Sequence, residues 1–491
     1  MRRNEASCPI AVLVLAACLG AVCTSPAALA QSPLPTASAE DRALARAIFK
    51  ELIEINTTDT PLGNVTTATE AMQKRFLDAG FAAEDVQLLG PDARKKNLVV
   101  RFRAAGTATE KPVLFLCHMD VVEALRSDWS TDPFEFVEKD GYYYGRGTQD
   151  MKNSDAALVV TFLRLHREGY KPKRDLILAL TADEEGGKFN GANWLVREHR
   201  ELVDAAFVLN ADAGGVTTVK GKPLNVDVEA NEKLYADFEL DATNPGGHSS
   251  LPVPDNAIYH ITDALSRLEH FTFPFELNPI TRDYFEKRAA LESGEIAADM
   301  KAILKTPPDP QAIARLSRDA RFNSLLRTTC VATRLKAGHA NNALPQQAQA
   351  NVNCRILPGH AMEEVRQELI RIFADPKIIV KYVDNAGGVF DRAPDTKAFA
   401  AVLPPPAVMQ PLERVTDVMW PSAPVIPEME TGASDSVYTI GAGIPSYGIS
   451  GVALDQDDVR AHGKDERVRI SSFYDGVEFY YRYLKALTGA Q

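Results

Sequence analysis

Apolar residues arrive in two rhythms along this chain, and the change from one to the other divides it. Short unbroken runs come first: Leu98-Val99-Val100, Val113-Leu114-Phe115-Leu116-Cys117, Leu176-Ile177-Leu178-Ala179-Leu180 and Ala206-Phe207-Val208-Leu209. Runs without alternation predict strands buried on both faces. Helical spacing fills the intervals at 156–166 and 192–198, and an opening helix sets Leu44, Ile48, Leu52 and Ile55 on one face. Buried strands alternating with helices predict an α/β fold, a mostly parallel mixed sheet flanked by helices.

Near Asn231 the rhythm changes. Tyr235-Ala236-Asp237-Phe238-Glu239-Leu240 alternates apolar and polar residues, which predicts a strand with one wet face. A helix at 255–269, strands at 330–335 and 348–356, a helix at 363–374 and a strand at 378–383 follow. A charged, helix-rich stretch at 282–327, broken at Pro307, Pro308 and Pro310, interrupts them. The pattern predicts a two-layer α+β domain over 231–386, inserted between two parts of a first domain at 40–230 and 387–491. In the second part, the proline-rich stretch 404–427 reads as a long surface loop and 444–449 as a last strand. A closing helix carries Phe473, Val477, Tyr480, Tyr481 and Leu484 on one face.

Composition changes this picture little. Hydrophobic content of 45% and charged content of 24% over 491 residues fit a soluble protein of two domains. A net charge of -12 argues against nucleic acid or an anionic membrane surface as partner. Residues 1–30 read as a signal peptide: Arg2 and Arg3 precede an apolar stretch at 10–22, and Ala28-Leu29-Ala30 offers a cleavage site. The apolar stretch is too short for a permanent membrane span. Leu15-Ala16-Ala17-Cys18 also resembles a lipoprotein box, although the apolar stretch before Cys18 would then be very short. Either route implies export, to the periplasm or beyond. Residues 31–39, rich in Pro, Ser and Ala, form a tether. Loss of Arg2, Arg3 and Glu5 with the leader takes the charge from -12 to -13. Cys117, Cys330 and Cys354 remain, and an odd count predicts free buried thiols rather than a disulfide framework, with a Cys330–Cys354 bridge across a hairpin as the alternative.

Ligands of open α/β sheets bind at the carboxyl ends of strands. In this chain those ends carry His118 and Asp120, then Asp183-Glu184-Glu185, then Asn210 and Asp212. Any one of these alone would be loop polarity; three such strand ends point to a site. Residues two apart at a strand end point the same way, so the Asp120 carboxylate is expected to take a hydrogen bond from His118 and fix its tautomer. In Gly145-Arg146-Gly147-Thr148-Gln149-Asp150-Met151-Lys152, Asp150 stands just before a helix and could offer one oxygen to each of two metal ions. Adjacent side chains diverge, so one of Glu184 and Glu185 can bind metal while the other serves as general base. His462 lies in Ala461-His462-Gly463-Lys464-Asp465-Glu466. Two imidazoles with several carboxylates suit zinc and its divalent neighbours.

The ordered set His118-x-Asp120, Gly-Arg-Gly-x-x-Asp150-x-Lys, Asp-Glu184-Glu185-Gly, Asn-Ala-Asp212-Ala-Gly-Gly and His462-Gly-x-Asp-Glu resembles the co-catalytic zinc peptidases. That family includes carboxypeptidase G, carboxypeptidase S, aminoacylase, carnosinase and succinyl-diaminopimelate desuccinylase, and the resemblance spans essentially the whole mature chain. It implies that Asp150 bridges two zinc ions, cobalt or manganese being the alternatives. His118 and Asp212 would complete one site, Glu185 and His462 the other, with Glu184 as base. In the inserted domain, a lid and dimerisation domain by resemblance, Gly246-Gly247-His248-Ser249-Ser250 matches the motif whose histidine polarises the scissile carbonyl, often across a homodimer. Asn342-Ala343-Leu344-Pro345 matches the family's Asn-x-x-Pro, and Arg355 matches the arginine that holds a substrate carboxylate.

The chain departs from the family at Asn153-Ser154, where many relatives have Gly-Gly, and at Asp212, where acylases often carry Glu. The helix-rich stretch 282–327 is similar to that of the carboxypeptidase S branch. The expected activity is hydrolysis of small peptides bearing a free carboxylate, in the manner of a dipeptidase or carboxypeptidase. An N-acyl amino acid deacylase is the alternative within the same chemistry, and a metal-free binding relative is the alternative outside it.

Overall fold

The computed structural model describes residues 37–106, 110–384, 387–394 and 400–489. The expected leader with its cleavage site and Cys18, and the tether up to residue 36, lie outside the described residues. At the centre runs Val113–His118, wholly buried, parallel to Leu176–Thr181 on one side and Phe207–Asn210 on the other. Beyond Leu176–Thr181 the sheet continues through antiparallel Asn97–Phe102 and Val86–Leu89. Beyond Phe207–Asn210 it continues through Ser446–Gly448, Lys222–Glu232, Gly215–Val219 and Ala453–Asp455, and Val425–Glu430 pairs with Lys222–Glu232 in parallel to make ten strands.

The unbroken apolar runs form this sheet because both faces are covered. Helices Ala39–Glu54, Lys152–Arg167, Pro406–Met419 and Ile470–Thr488 bury Phe49, Leu158, Phe162, Leu412, Phe473 and Tyr480 against one face. Gly191–Glu198 and Ser436–Gly441 cover Leu114, Leu116 and Ile177 on the other.

The stretch expected as a surface loop at 404–427 is instead a helix followed by a strand. Pro406 sits in the first turn, where a missing N–H costs nothing. Val408, Leu412 and Val415 recur at helical spacing and are buried, and Tyr483 donates its hydroxyl to Val408 O at 3.2 Å. Packing against the closing helix thus holds a helix despite Pro411 in its interior. The hairpin of Gly215–Val219 and Lys222–Glu232 has no counterpart in the expected pattern, because its buried positions include Asn225, Asp227, Glu229 and Asn231.

A second sheet holds five antiparallel strands in the order Thr329–Ala337, Gln347–Ile356, Leu234–Thr243, Ile378–Val383 and Val389–Phe390. Helices Ala257–Glu269 and Met362–Phe373 cover one face with Ile261, Ala264, Val365 and Leu369. The short helices between Pro279 and Leu325 do not join that core. They pack Ile280, Tyr284, Phe285 and Met300 over Ile426 and Met429 of the large sheet. Cys330 and Cys354 face each other in register and form a disulfide, with Cα atoms 4.1 Å apart. The expectation of free thiols is therefore corrected for this pair, and the odd count is explained by Cys117, which is free and buried. No described helix is long and apolar enough to cross a membrane.

Candidate metal centre and active site

Three parallel strands end side by side and hand their next residues to one place. His118 closes its strand; Glu184 and Glu185 follow Thr181 by three and four residues; Asp212 follows Asn210 by two. Asp150 enters just before helix Lys152–Arg167, and His462 from the loop preceding Arg467–Arg469. His118 Nε2 lies 3.1 Å from Asp150 Oδ1 and 3.4 Å from Asp212 Oδ1. The other oxygen of Asp150 lies 3.1 Å from His462 Nε2, which is also 2.9 Å from a Glu185 oxygen. Asp150 thus stands between the two imidazoles with one oxygen toward each. Donor atoms of His118, Asp150 and Glu185, and of His118, Glu184 and Asp212, gather within 4.8 Å of one another.

The bond expected from His118 to the Asp120 carboxylate is not formed. His118 Nδ1 is 3.1 Å from the main-chain oxygen of Asp120 and 3.8 Å from its carboxylate. That carboxylate is occupied elsewhere: it accepts from the backbone N–H groups of Glu184 at 3.1 Å and Glu185 at 2.9 Å. Asp120 therefore orients the imidazole through its carbonyl and the two glutamates through its side chain. A donor at Nδ1 leaves the Nε2 lone pair facing Asp150 and Asp212.

This cluster carries more negative charge than its own imidazoles can balance. Burial, then the carboxylates of Asp212, Asp435 and Glu185, push Glu184 up to about 10. Burial raises Asp120 to about 7. Against burial, the imidazoles of His118 and His462 beside its two oxygens hold Asp150 below the ordinary carboxylate value. Asp150 and Glu185 in turn raise His462 to about 10. Against burial, Asp212 and Asp150 hold His118 well above the ordinary imidazole value. His118 Nε2 and Asp150 Oδ1 are buried yet make no hydrogen bond among the described residues. Buried lone pairs facing one another, in a mixed nitrogen and oxygen donor set with surplus negative charge, fit divalent cations.

Residues to which the sequence assigns no role of their own hold the cluster in place. Glu466, fully buried, accepts from Arg146 Nη1 at 2.5 Å and from the backbone N–H groups of Gly147, Gln149 and Asp150 at 3.1, 2.6 and 3.1 Å. Asp183, at positive φ, is paired with buried Lys95 and accepts from Phe189 N at 3.1 Å, curling the segment that carries Glu184 and Glu185. A Cβ at Gly187 would overlap the Asp183 carboxylate, so this turn requires glycine. Asp435 accepts from Thr181 Oγ1 at 3.2 Å and Asn190 Nδ2 at 2.7 Å, and burial raises it to about 6. Asn210 accepts from Asp212 N at 3.1 Å and donates to Ser434 and Ser436, which fixes Asp212, not Asn210, beside His118. The polar run Thr431-Gly432-Ala433-Ser434-Asp435-Ser436 was the available signal for Asp435.

His248, Asn342 and Arg355 are not brought into contact with this cluster among the described residues. His248 is exposed on a two-residue ladder with Ala343, and Ser249 N donates to Asn342 O at 3.1 Å. Arg355 lies on the five-stranded sheet with its guanidinium over the Tyr235 ring, 4.7 Å from the centroid.

The family model for peptidase family M20/M25/M40 matches residues 114–486. The chain is 30% identical over 375 residues to the N-fatty-acyl-amino acid synthase/hydrolase PM20D1 of Xenopus tropicalis, covering 75% of this chain and 71% of that protein. It is 27% identical over 387 residues to a probable carboxypeptidase S-like protein of Dictyostelium discoideum, covering 76% and 71%. The M20 family metallo-carboxypeptidase Sso-CP2 of Sulfolobus solfataricus has a similar fold, with a TM-score of 0.66 and 16% identity over 90% of this chain and 99% of that one.

Proposed function

The chain belongs to peptidase family M20/M25/M40, a family of hydrolases acting on amide bonds, and from that premise we propose an exported dinuclear enzyme that cleaves small peptides bearing a free carboxylate. The observation that carries this reading is Asp150, with one oxygen 3.1 Å from His118 and the other 3.1 Å from His462. His118, Asp150 and Asp212 would hold one cation, and Asp150, Glu185 and His462 the other, zinc being favoured by the imidazole and carboxylate donors. When bound, such a pair lowers the pKa of a water and polarises a carbonyl.

The chain's own groups supply the proton transfers and the positioning. Glu184, beside Asp212 and His118 but left over from both ligand sets, is raised by burial and by surplus negative charge that two bound cations would offset; as a carboxylate it takes a proton from the attacking water and delivers it to the leaving amine. Asp120 holds Glu184 and Glu185 by their backbone N–H groups, so base and ligand keep their spacing. His248 would serve the developing oxyanion. Its Nδ1 accepts from Ser250 N at 3.1 Å, which leaves Nε2–H free to donate. Its exposure suits delivery from the partner subunit of a homodimer formed through the small sheet's domain, residues 231–386, with the catalytic domain on either side of it. Arg355 would bind the substrate carboxylate, and Asn342, tied to Ser249 by its carbonyl, would line the same substrate path. The Cys330–Cys354 disulfide supports an oxidising, extracytoplasmic location.

A second reading, N-acyl amino acid hydrolysis, is favoured by the identity to a protein named for N-fatty-acyl-amino acids. A panel of dipeptides against N-acyl amino acids separates the two. Glu184→Gln tests the shared chemistry: bound metal should stay near the wild-type level while turnover falls by about 10²- to 10⁴-fold. Turnover near that of the wild type would remove Glu184 from its role.

A further inference from the structure

Lys233 is a lysine without a counter-ion among the described residues, in a chain that has 66 acidic residues to 54 basic ones. Its side chain is 1% exposed, and its ammonium makes one hydrogen bond, to Thr329 Oγ1 at 3.4 Å. No carboxylate among the described residues forms an ion pair with it, and the charges that bear on it most are those of Arg355 and Arg327, both cations. Burial, then Arg355 and Arg327, bring it down to about 7. Arg327 is itself buried, bonded to Phe273 O and Ser317 Oγ, with Nε unpartnered. A buried ammonium among guanidinium groups is costly unless an anion joins it.

The sheet register shows where that anion would sit. Tyr235 stands opposite Arg355 on one neighbouring strand, and Thr329 stands opposite Arg355 on the other, so the three form one row. Lys233 precedes Tyr235 by two residues and reaches back to Thr329, closing the row at its end. Its backbone N–H donates to Glu430 O at 3.1 Å, at the junction with the large sheet. Next to it, Glu232 accepts from Ser434 N and Oγ, and Ser434 also takes the Asn210 amide that positions Asp212. The cations therefore belong to the part of the small sheet that is wired to the metal cluster.

We propose that Lys233 is a second carboxylate-binding residue, which with Arg355 and the Thr329 hydroxyl makes a two-cation cradle for the free carboxylate of the amino acid on the leaving side of the scissile amide. The proposal rests on the reading of Arg355 as a substrate-carboxylate ligand. The cradle makes that carboxylate a requirement of the enzyme, since an amide-capped substrate would leave the buried ammonium unpaired.

The test uses the full mature chain loaded with zinc, the best-cleaved substrate of the peptide and N-acyl panel, and that substrate's C-terminal amide. Lys233→Met should raise KM for the free acid by about 10- to 100-fold, with a smaller change in kcat, so that the preference for acid over amide collapses. Lys233→Arg should restore part of it. Binding of the free acid to the Glu184→Gln protein, measured by calorimetry, should weaken by the same factor when Lys233→Met is added. Far-UV circular dichroism of Lys233→Met matching the wild type establishes that folding is intact, and Lys233→Arg keeps the test open if it does not match. An unchanged acid-to-amide preference and unchanged affinity in Lys233→Met would overturn the proposal. If Arg355→Met collapses the preference while Lys233→Met does not, Lys233 alone is misassigned; if neither does, the reading of Arg355 fails as well.

Discussion

Glu466 offers the sharpest stability prediction because one buried carboxylate holds four donors that lead to two proposed metal ligands. Its Oε2 takes Arg146 Nη1 and Gly147 N, and its Oε1 takes Gln149 N and Asp150 N. Arg146, only 3% exposed, stacks over Trp129 and sends Nη2 to His462 O at 3.4 Å. Glu466→Gln keeps the shape but replaces one acceptor oxygen by an N–H₂ group that faces two donors. The guanidinium then lacks its counter-charge in a buried setting, a loss of about 3–5 kcal/mol. The backbone amides at stake would each cost about 1–3 kcal/mol, but they share one carboxylate with Arg146, so the figures do not add. A total near 3–5 kcal/mol follows, together with a fall in metal affinity of about 10- to 100-fold, since Asp150 N and His462 O both lose their anchor. Urea unfolding of the metal-free protein followed by circular dichroism measures the first, and competition with a chelator measures the second. A Glu466→Gln protein within about 1 kcal/mol of wild type, with the same metal affinity, would refute the reasoning.

Three further outcomes are expected. Reduction of the Cys330–Cys354 bridge, or Cys330→Ser with Cys354→Ser, closes off a cross-link spanning 24 residues and should lower stability by about 3 kcal/mol in urea unfolding; unchanged unfolding with and without reductant would count against the bridge. Lys95→Met leaves Asp183 buried without its cation, so kcat should fall with the displaced Glu184–Glu185 segment and recover in part in Lys95→Arg; a change in KM alone would contradict this. His260 lies 2.9 Å from Asp255 and 2.6 Å from Asp375, which raise it above its ordinary value of 6.5. Its contribution is therefore complete below that ordinary value and is lost as pH rises through the raised one. Asp255, held down to about 2 by Lys377 and His260, and Asp375, also lowered, contribute above their ordinary value of 3.8 and lose that contribution as pH falls through their folded values. Urea midpoints between about pH 5 and pH 9 should decline on the alkaline side in wild type and decline less in His260→Gln; equal slopes would remove His260 from this role.

Much of the fold could be read from apolar runs because the buried strands are short, continuous and set between helical stretches. Val113–His118 and Leu176–Thr181 carry that signal almost undiluted. The helix Pro406–Met419 could not, since its prolines outweigh in sequence what Val408, Leu412 and Val415 contribute in space. The disulfide was visible only as the alternative, for a related reason: a count of cysteines says nothing about register, and Cys330 meets Cys354 only once the strands pair. At the site, each proposed ligand was legible because it follows a strand end or stands just before a helix or a late loop motif. The residues that hold them were not. Glu466 acts on amides more than 300 residues away, and Lys95 on Asp183 across 88 positions, contacts that only the folded chain creates. Asp120 shows the same limit at short range, for its carbonyl takes the His118 contact that local spacing assigns to its carboxylate, which instead holds the backbone of Glu184 and Glu185.

The central claim is that Asp150 joins two cation sites, and titration of the metal-free full chain with zinc, with amidase activity followed at each addition, tests it most directly. Two zinc ions should bind per chain, activity should rise to its maximum as the second binds, and Asp150→Asn should weaken both sites together. Saturation of full activity by a single ion, or an Asp150→Asn protein that keeps one site at wild-type affinity, would contradict the bridge.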